Sequence, residues 1–166
     1  VVSMHWGTEY VSQPTAEQTA VGDQLAKSGQ IDLVFGNHSH VPEPVAKLAG
    51  GPGGRGMWVV WSMGNTISGQ TVQNHGYRVM AGLMTTATVD VPAKGPARVS
   101  NLEWTAIAQD ERTDRVFQLS RLTSGERPAE IASRANATYP VMGADGSKER
   151  VTPPTPRAQL IGRELK

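Results

Sequence analysis

Apolar residues fall into short runs separated by loops that carry glycine and proline, which is the rhythm of a fold built on strands. Val1 to Met4 reads as a strand, with His5-Trp6-Gly7-Thr8-Glu9-Tyr10 as the loop leaving it. Pro14-Thr15-Ala16-Glu17-Gln18 has the composition of a helix start, and Ala20, Val21, Leu25 and Ala26 supply a narrow apolar stripe before Ser28-Gly29-Gln30 ends it. Ile31 to Phe35 is a second buried strand, running into the turn Gly36-Asn37-His38-Ser39-His40. Strand, helix, strand makes a βαβ unit with parallel strands, so both histidine-bearing loops leave C-terminal strand ends, the edge where open α/β sheets bind ligands.

Further along, Met57 to Ser62 predicts a third strand leading into Met63-Gly64-Asn65. Strands over Tyr77 to Val89 and Ala97 to Ile107 predict a second sheet packed on the first, as in a sandwich core. Gln109 to Leu122 fits a strand or a helix equally. From Ser124 the composition changes, and Val151-Thr152-Pro153-Pro154-Thr155-Pro156 suits neither helix nor sheet. Residues 1–122 are therefore expected to form the domain, with 123–166 loosely packed to flexible. Because Val1 already lies in a core-like strand, further sequence upstream is expected.

Composition narrows the chemistry. Only 38% of the 166 residues are hydrophobic, with 18 glycines and 11 prolines, so loops are plentiful. Sixteen basic residues balance 15 acidic ones, leaving no electrostatic footprint for nucleic acid or a membrane surface. With no cysteine, disulfides, thiolate metal sites and cysteine nucleophiles are excluded.

Three of the four histidines lie in the two loops at one sheet edge. His38 and His40, two apart, are placed to reach one metal or two neighbouring ones, and imidazole suits Zn, Mn, Fe, Co or Ni. A His-x-His pair alone equally fits hydrogen-bonded surface residues; His5 at the end of the adjacent strand is what strengthens the metal reading. His75, in Gln73-Asn74-His75-Gly76, reads as a solvated loop residue. Asp32 is expected to face solvent or cap a turn. Trp6, Trp58 and Trp61 are expected in packing roles, with Trp6 the one nearest a ligand candidate. The Gly50–Gly56 loop follows no expected strand and opens no helix, so it reads as a connection and not a phosphate cradle.

The series His5-Trp6-Gly7-Thr8-Glu9-Tyr10, then Gly36-Asn37-His38-Ser39-His40-Val41 after a strand, then Trp61-Ser62-Met63-Gly64-Asn65 resembles the bacterial capsule synthesis (CapA, poly-gamma-glutamate synthesis) family of calcineurin-like metallophosphoesterases. The resemblance covers roughly residues 1–92. It implies an α/β fold, the C-terminal part of a four-layer αββα sandwich, and metal-dependent hydrolysis in envelope-polymer synthesis. By the same resemblance, His5, His38 and His40 are metal ligands, and His5, His38 and Glu9 are the catalytic set. Glu9 suits a ligand, a partner of a ligand or a substrate contact; Trp6, Asn37 and Asn65 belong around substrate or behind the ligands.

The family implies two divalent ions (Mn, Zn or Fe), an anionic polymer or phosphoester substrate, other envelope-polymer synthesis proteins as partners, and an extracytoplasmic, membrane-anchored location. The rival expectation is a non-catalytic accessory protein that binds an anionic polymer. Departures are Asn37 where the family often has histidine, Trp61 for a tyrosine and Thr66 for an aromatic, changes expected to touch pocket walls. The family's Gly-Asp, Asn-Leu-Glu and Asn-Asn-His elements are expected upstream; Asn101-Leu102-Glu103 copies one of them on the wrong side of the histidines. Three histidines cannot fix two ions without a bridging carboxylate, so the chain by itself is expected to be inactive.

Overall fold

The computed structural model describes residues 1–119 together with Lys148 and Glu149. Its elements in chain order are β1 (Val2–His5), α1 (Ala16–Lys27), β2 (Leu33–Asn37), β3 (Val45–Leu48), β4 (Met57–Val60), α2 (Val72–His75), β5 (Ala81–Asp90), β6 (Arg98–Asp110), β7 (Arg115–Gln118) and β8 (Lys148–Glu149). The first sheet has the order β1-β2-β4-β3, with β1, β2 and β4 parallel and β3 antiparallel to β4. The second is antiparallel, in the order β5-β6-β7, with β8 parallel beside β6.

Side-chain alternation explains the layering. Along β4, Met57, Val59 and the following Trp61 point to one face, where they meet Val34 and Ala26 of α1. Trp58 and Val60 point to the other, where they meet Leu83, Leu102, Trp104 and Ala106 of the second sheet. The central strands β2 and β4 are largely buried on both faces, as parallel strands require, while the edge strands β1 and β3 are partly exposed. Helix, sheet and sheet therefore stack as three layers among the described residues, an α/β architecture. The sandwich core expected from the apolar runs is present.

Helix α1 begins with a capping box. Thr15 accepts from the Gln18 amide at 3.1 Å, and the Gln18 side chain accepts from the Thr15 amide at 2.8 Å. Its buried stripe is Gln18, Gly22 and Ala26, a correction to the expected one: Ala20 is exposed, while Val21 and Leu25 are half-buried flanks. Gly22 is small because the Trp61 ring occupies the space a side chain would need.

Other expectations are corrected too. Strand β3 was unforeseen, and the glycine loop after it joins antiparallel neighbours while its Gly51 amide bonds the Ala26 carbonyl at 2.7 Å. Tyr77 to Met80 is a single tight helical turn, so the expected strand starts at Ala81. The undecided stretch resolves as the end of β6, a turn and β7. Asp32 is largely sheltered and ion-pairs with Arg98 at 3.9 Å instead of facing solvent. Apart from Lys148 and Glu149, the expectation for residues 123–166 lies outside the described residues.

Gly36, at the end of β2, is the tightest backbone approach bearing on the site. A Cβ there would overlap the Trp61 carbonyl and press on the Trp6 indole nitrogen. Gly36→Ala is therefore expected to destabilise the fold by about 3 kcal/mol or more, read as a lowered midpoint in thermal or urea unfolding. An unchanged midpoint would contradict this packing.

Candidate functional site

Parallel pairing of β1 with β2 sets His5 opposite Asn37, so the two histidine-bearing loops start side by side. Backbone bonds then clip them together: the Trp6 amide to the Asn37 carbonyl at 3.1 Å, and the Tyr10 amide to the Ser39 carbonyl at 2.7 Å. The Trp6 indole N–H donates to the Trp61 carbonyl at 2.8 Å and its ring stacks on that of Trp61. Trp6 is thus anchored and not a free platform. Trp61 is nearly inaccessible beneath α1, which corrects the expectation that its replacement of tyrosine reshapes a pocket wall.

Tyr10, His38 and His40 have positive φ of 62°, 110° and 59°. Non-glycine residues in such conformations cost of the order of 1–3 kcal/mol each and persist where the surroundings over-determine them, as they do at functional loops. The turn is shaped to aim these rings.

The imidazoles do come together. His5 and His38 have ring centroids 4.4 Å apart, and His38 and His40 lie 6.5 Å apart. His40 has a defined tautomer. Asn65 donates its amide to the Val79 carbonyl at 3.1 Å, so its Oδ1 is what faces His40 Nδ1 at 3.0 Å. A carbonyl oxygen only accepts, hence Nδ1 carries hydrogen and Nε2 of the neutral ring keeps its lone pair. That Nε2 looks toward Glu9 Oε1 at 3.9 Å. Asn65 itself is delivered by the Met63–Asn65 segment, which leaves the first sheet and bonds to β5 through Leu83 and Ala81.

A pocket of about 370 Å³ opens beside His5 and His38, walled by Trp6, Gln18, Glu17 and Val21. Among the described residues lining it, Glu17 is the one acidic side chain. No lysine or arginine is there. His75 was misread as a solvated loop residue: it is half-buried and stacks on Tyr10 with centroids 4.1 Å apart. Tyr10 in turn lies parallel to His40 at 5.9 Å and donates its hydroxyl to Gln70 at 3.2 Å. Asn37 contributes its backbone, pairing β1.

Gln18 and Glu43 escaped the sequence reading. Both are buried, and Gln18 Nε2 donates to Glu43 Oε2 at 2.7 Å. Burial raises the Glu43 carboxyl above the usual range, opposed by the hydrogen bond it accepts from Gln18. The Ser39 hydroxyl gives its one proton to the Val41 carbonyl, at 2.8 Å, and Glu43 Oε1 has no donor.

As a metal site, the donor set fits one ion better than two. His5 and His38 pair, but His40 is turned toward Glu9 and Asn65, and no three His, Asp or Glu groups among the described residues converge as a complete ligand set. Among the described residues no carboxylate groups with His5 and His38 to bridge two ions. Residues 1–70 match the family model for the bacterial capsule synthesis protein PGA_cap. The capsule synthesis match takes in all three site histidines, Glu9 and Asn65, and stops short of His75 and the second sheet. No curated protein and no solved structure gives a match.

The raised Glu43 carboxyl has a pH signature. A folded state that keeps this proton to higher pH binds more protons than the unfolded chain in that window, so stability is full below the ordinary carboxyl range and falls as pH rises through the raised value. Glu43→Gln, which cannot ionise, is expected to lose none over that rise, the two unfolding curves differing more at neutral than at acid pH. A constant difference between wild type and variant from acid to neutral pH would contradict the assignment.

Proposed function

We propose that this chain carries part of the metal site of a metallophosphoesterase-type hydrolase that acts in bacterial capsule synthesis, with the four-layer αββα sandwich as the parent architecture. The association with capsule synthesis follows from the family match over residues 1–70. The hydrolytic reading is supported by one observation above the others. His5, His38 and His40 leave neighbouring strand ends, with His5 and His38 in ring contact and His40 held through Nδ1 by Asn65.

In this reading His5 and His38 would hold a divalent transition ion (Zn, Mn or Fe), with His40, oriented by Asn65, as a further ligand. Such an ion supplies Lewis acidity toward a phosphoester or related bond. Glu9 sits where it can take a proton or position a substrate hydroxyl. A second ion needs carboxylate donors beyond the described residues, so the chain alone binds one ion and does not turn over substrate. A poly-gamma-glutamate or other anionic polymer is the substrate class in view, at an extracytoplasmic location. Among the described residues no helix is long and apolar enough to cross a membrane.

A non-catalytic reading shares the same chemistry. The family match concerns capsule synthesis and no particular reaction, which equally supports a cleft that binds an anionic envelope polymer without cleaving it, in company with other polymer synthesis proteins. Both readings need positive charge that the pocket lining does not supply: Glu17 repels anions, so anion binding depends on the metal.

Metal analysis after dialysis tests the site. Wild type is expected to retain about one equivalent of Zn²⁺ or Mn²⁺, with affinity falling by at least about tenfold in His38→Ala and unchanged in His75→Ala. Inorganic phosphate is expected to bind the metal-loaded chain and not the metal-free one. Negligible metal in wild type, or equal affinity in wild type and His38→Ala, would sink the site. Turnover of a model phosphodiester by the longest natural protein carrying this chain separates the hydrolase from the binder.

A further inference from the structure

We propose that Gln18 and Glu43 form a positioning pair whose buried hydrogen bond sets the His5 loop against the His38–His40 turn. The proposal deepens the metal-site reading, since it concerns how those imidazoles are spaced. Gln18 lines the pocket, but its Oε1 and Nε2 are bonded to Thr15 and Glu43. What they touch gives them their role.

Gln18 is buried on the inner face of α1 and its side chain fills the space directly under Gly7, two residues after His5. A Cβ at Gly7 would come within 2.7 Å of Gln18 Oε1, so the loop backbone rests on this amide. The same Oε1 accepts from the Thr15 amide at 2.8 Å, which fixes the side chain to the start of the helix. Its Nε2 reaches Glu43 at 2.7 Å. Glu43 lies three residues beyond His40, wholly inaccessible, with its amide bonded to the Ser62 carbonyl at 3.1 Å. Its carboxyl adjoins Ser39, the residue between the two histidines.

The bonded path therefore runs from the Gly7 backbone through Gln18 to Glu43. One end sits two residues after His5 and the other three residues beyond His40. An apolar pair of equal volume would fill the same space without the directional bond, and buried polar groups kept at the cost of desolvation specify geometry where packing alone does not. If the path acts in this way, losing its acceptor moves the rings apart while the fold survives. Glu43→Gln keeps an acceptor oxygen for Gln18 Nε2, so it preserves the spacing. Glu43→Leu keeps the volume and removes the acceptor.

The test is proton NMR on the 166-residue chain without metal or substrate, following cross-relaxation between the His5 and His38 rings and exchange of the Gln18 side-chain amide protons. Wild type is expected to show the ring contact and a Gln18 amide that exchanges at least about tenfold more slowly than that of exposed Gln13. Glu43→Gln is expected to keep the contact, and Glu43→Leu to drop it below half of its wild-type intensity while still unfolding cooperatively. Full retention in folded Glu43→Leu, or loss in Glu43→Gln, would overturn the proposal. Should Glu43→Leu not fold, the wild-type exchange decides: a Gln18 amide as fast as Gln13 means no such bond. An intact contact with no metal binding counts against the proposed function and leaves the pair standing.

Discussion

The parallel pairing of β1 with β2 is the constraint on which the candidate site rests. Two parallel neighbours end at the same sheet edge, and the register that faces His5 with Asn37 starts both loops at one level. The bonds from Trp6 to Asn37 and from Tyr10 to Ser39 extend the pairing past the strands. An antiparallel arrangement would have sent the loops to opposite ends of the sheet. Helix α1, which makes the parallel crossover possible, also roofs Trp61 and places Gln18 under Gly7.

Strain and burial at that edge have the same origin. Left-handed backbone at Tyr10, His38 and His40 is unfavourable by itself, and the loops adopt it because neighbouring groups leave no alternative. Asn65 fixes the His40 tautomer from a segment that bridges the two sheets. The second sheet therefore helps to aim a ring borne by the first. Tyr10 and His75 close the far side of the cluster. The lack of lysine and arginine in the pocket lining makes any bound cation the dominant charge there.

Much of this was legible in the residues. Met57 to Trp61 is an unbroken apolar run because β4 is covered on both faces. Val1 to Met4 and Ile31 to Phe35 are apolar runs each broken by one polar residue, and such runs announce themselves. The start of α1 was visible in Pro14 to Gln18, though the capping box between Thr15 and Gln18 emerges only in the structure. Strand β3 was not, because Pro42 and Pro44 precede it and Lys47 interrupts its four residues. The stripe of α1 misled because its central member is Gly22 and its first is a buried glutamine, neither of which scores as apolar. The loops carrying His5, His38 and His40 were correctly placed at one edge, since topology decides that. Ring orientation was not readable: His40 turns to Asn65, and His75 stacks on a tyrosine 65 residues away, through contacts that have no local pattern. Glu43 stands between two prolines, where no local pattern marks a core residue, and its burial and its bond to Gln18 reveal one.

The central claim is that His5, His38 and His40 form one site. Long-range proton–nitrogen correlation of the imidazoles during a Zn²⁺ titration addresses it most directly. The expected result is that nitrogens of all three shift together along a single isotherm, while those of His75 stay in place. Three separate isotherms, or no shift at His5 and His38 at saturating metal, would contradict it.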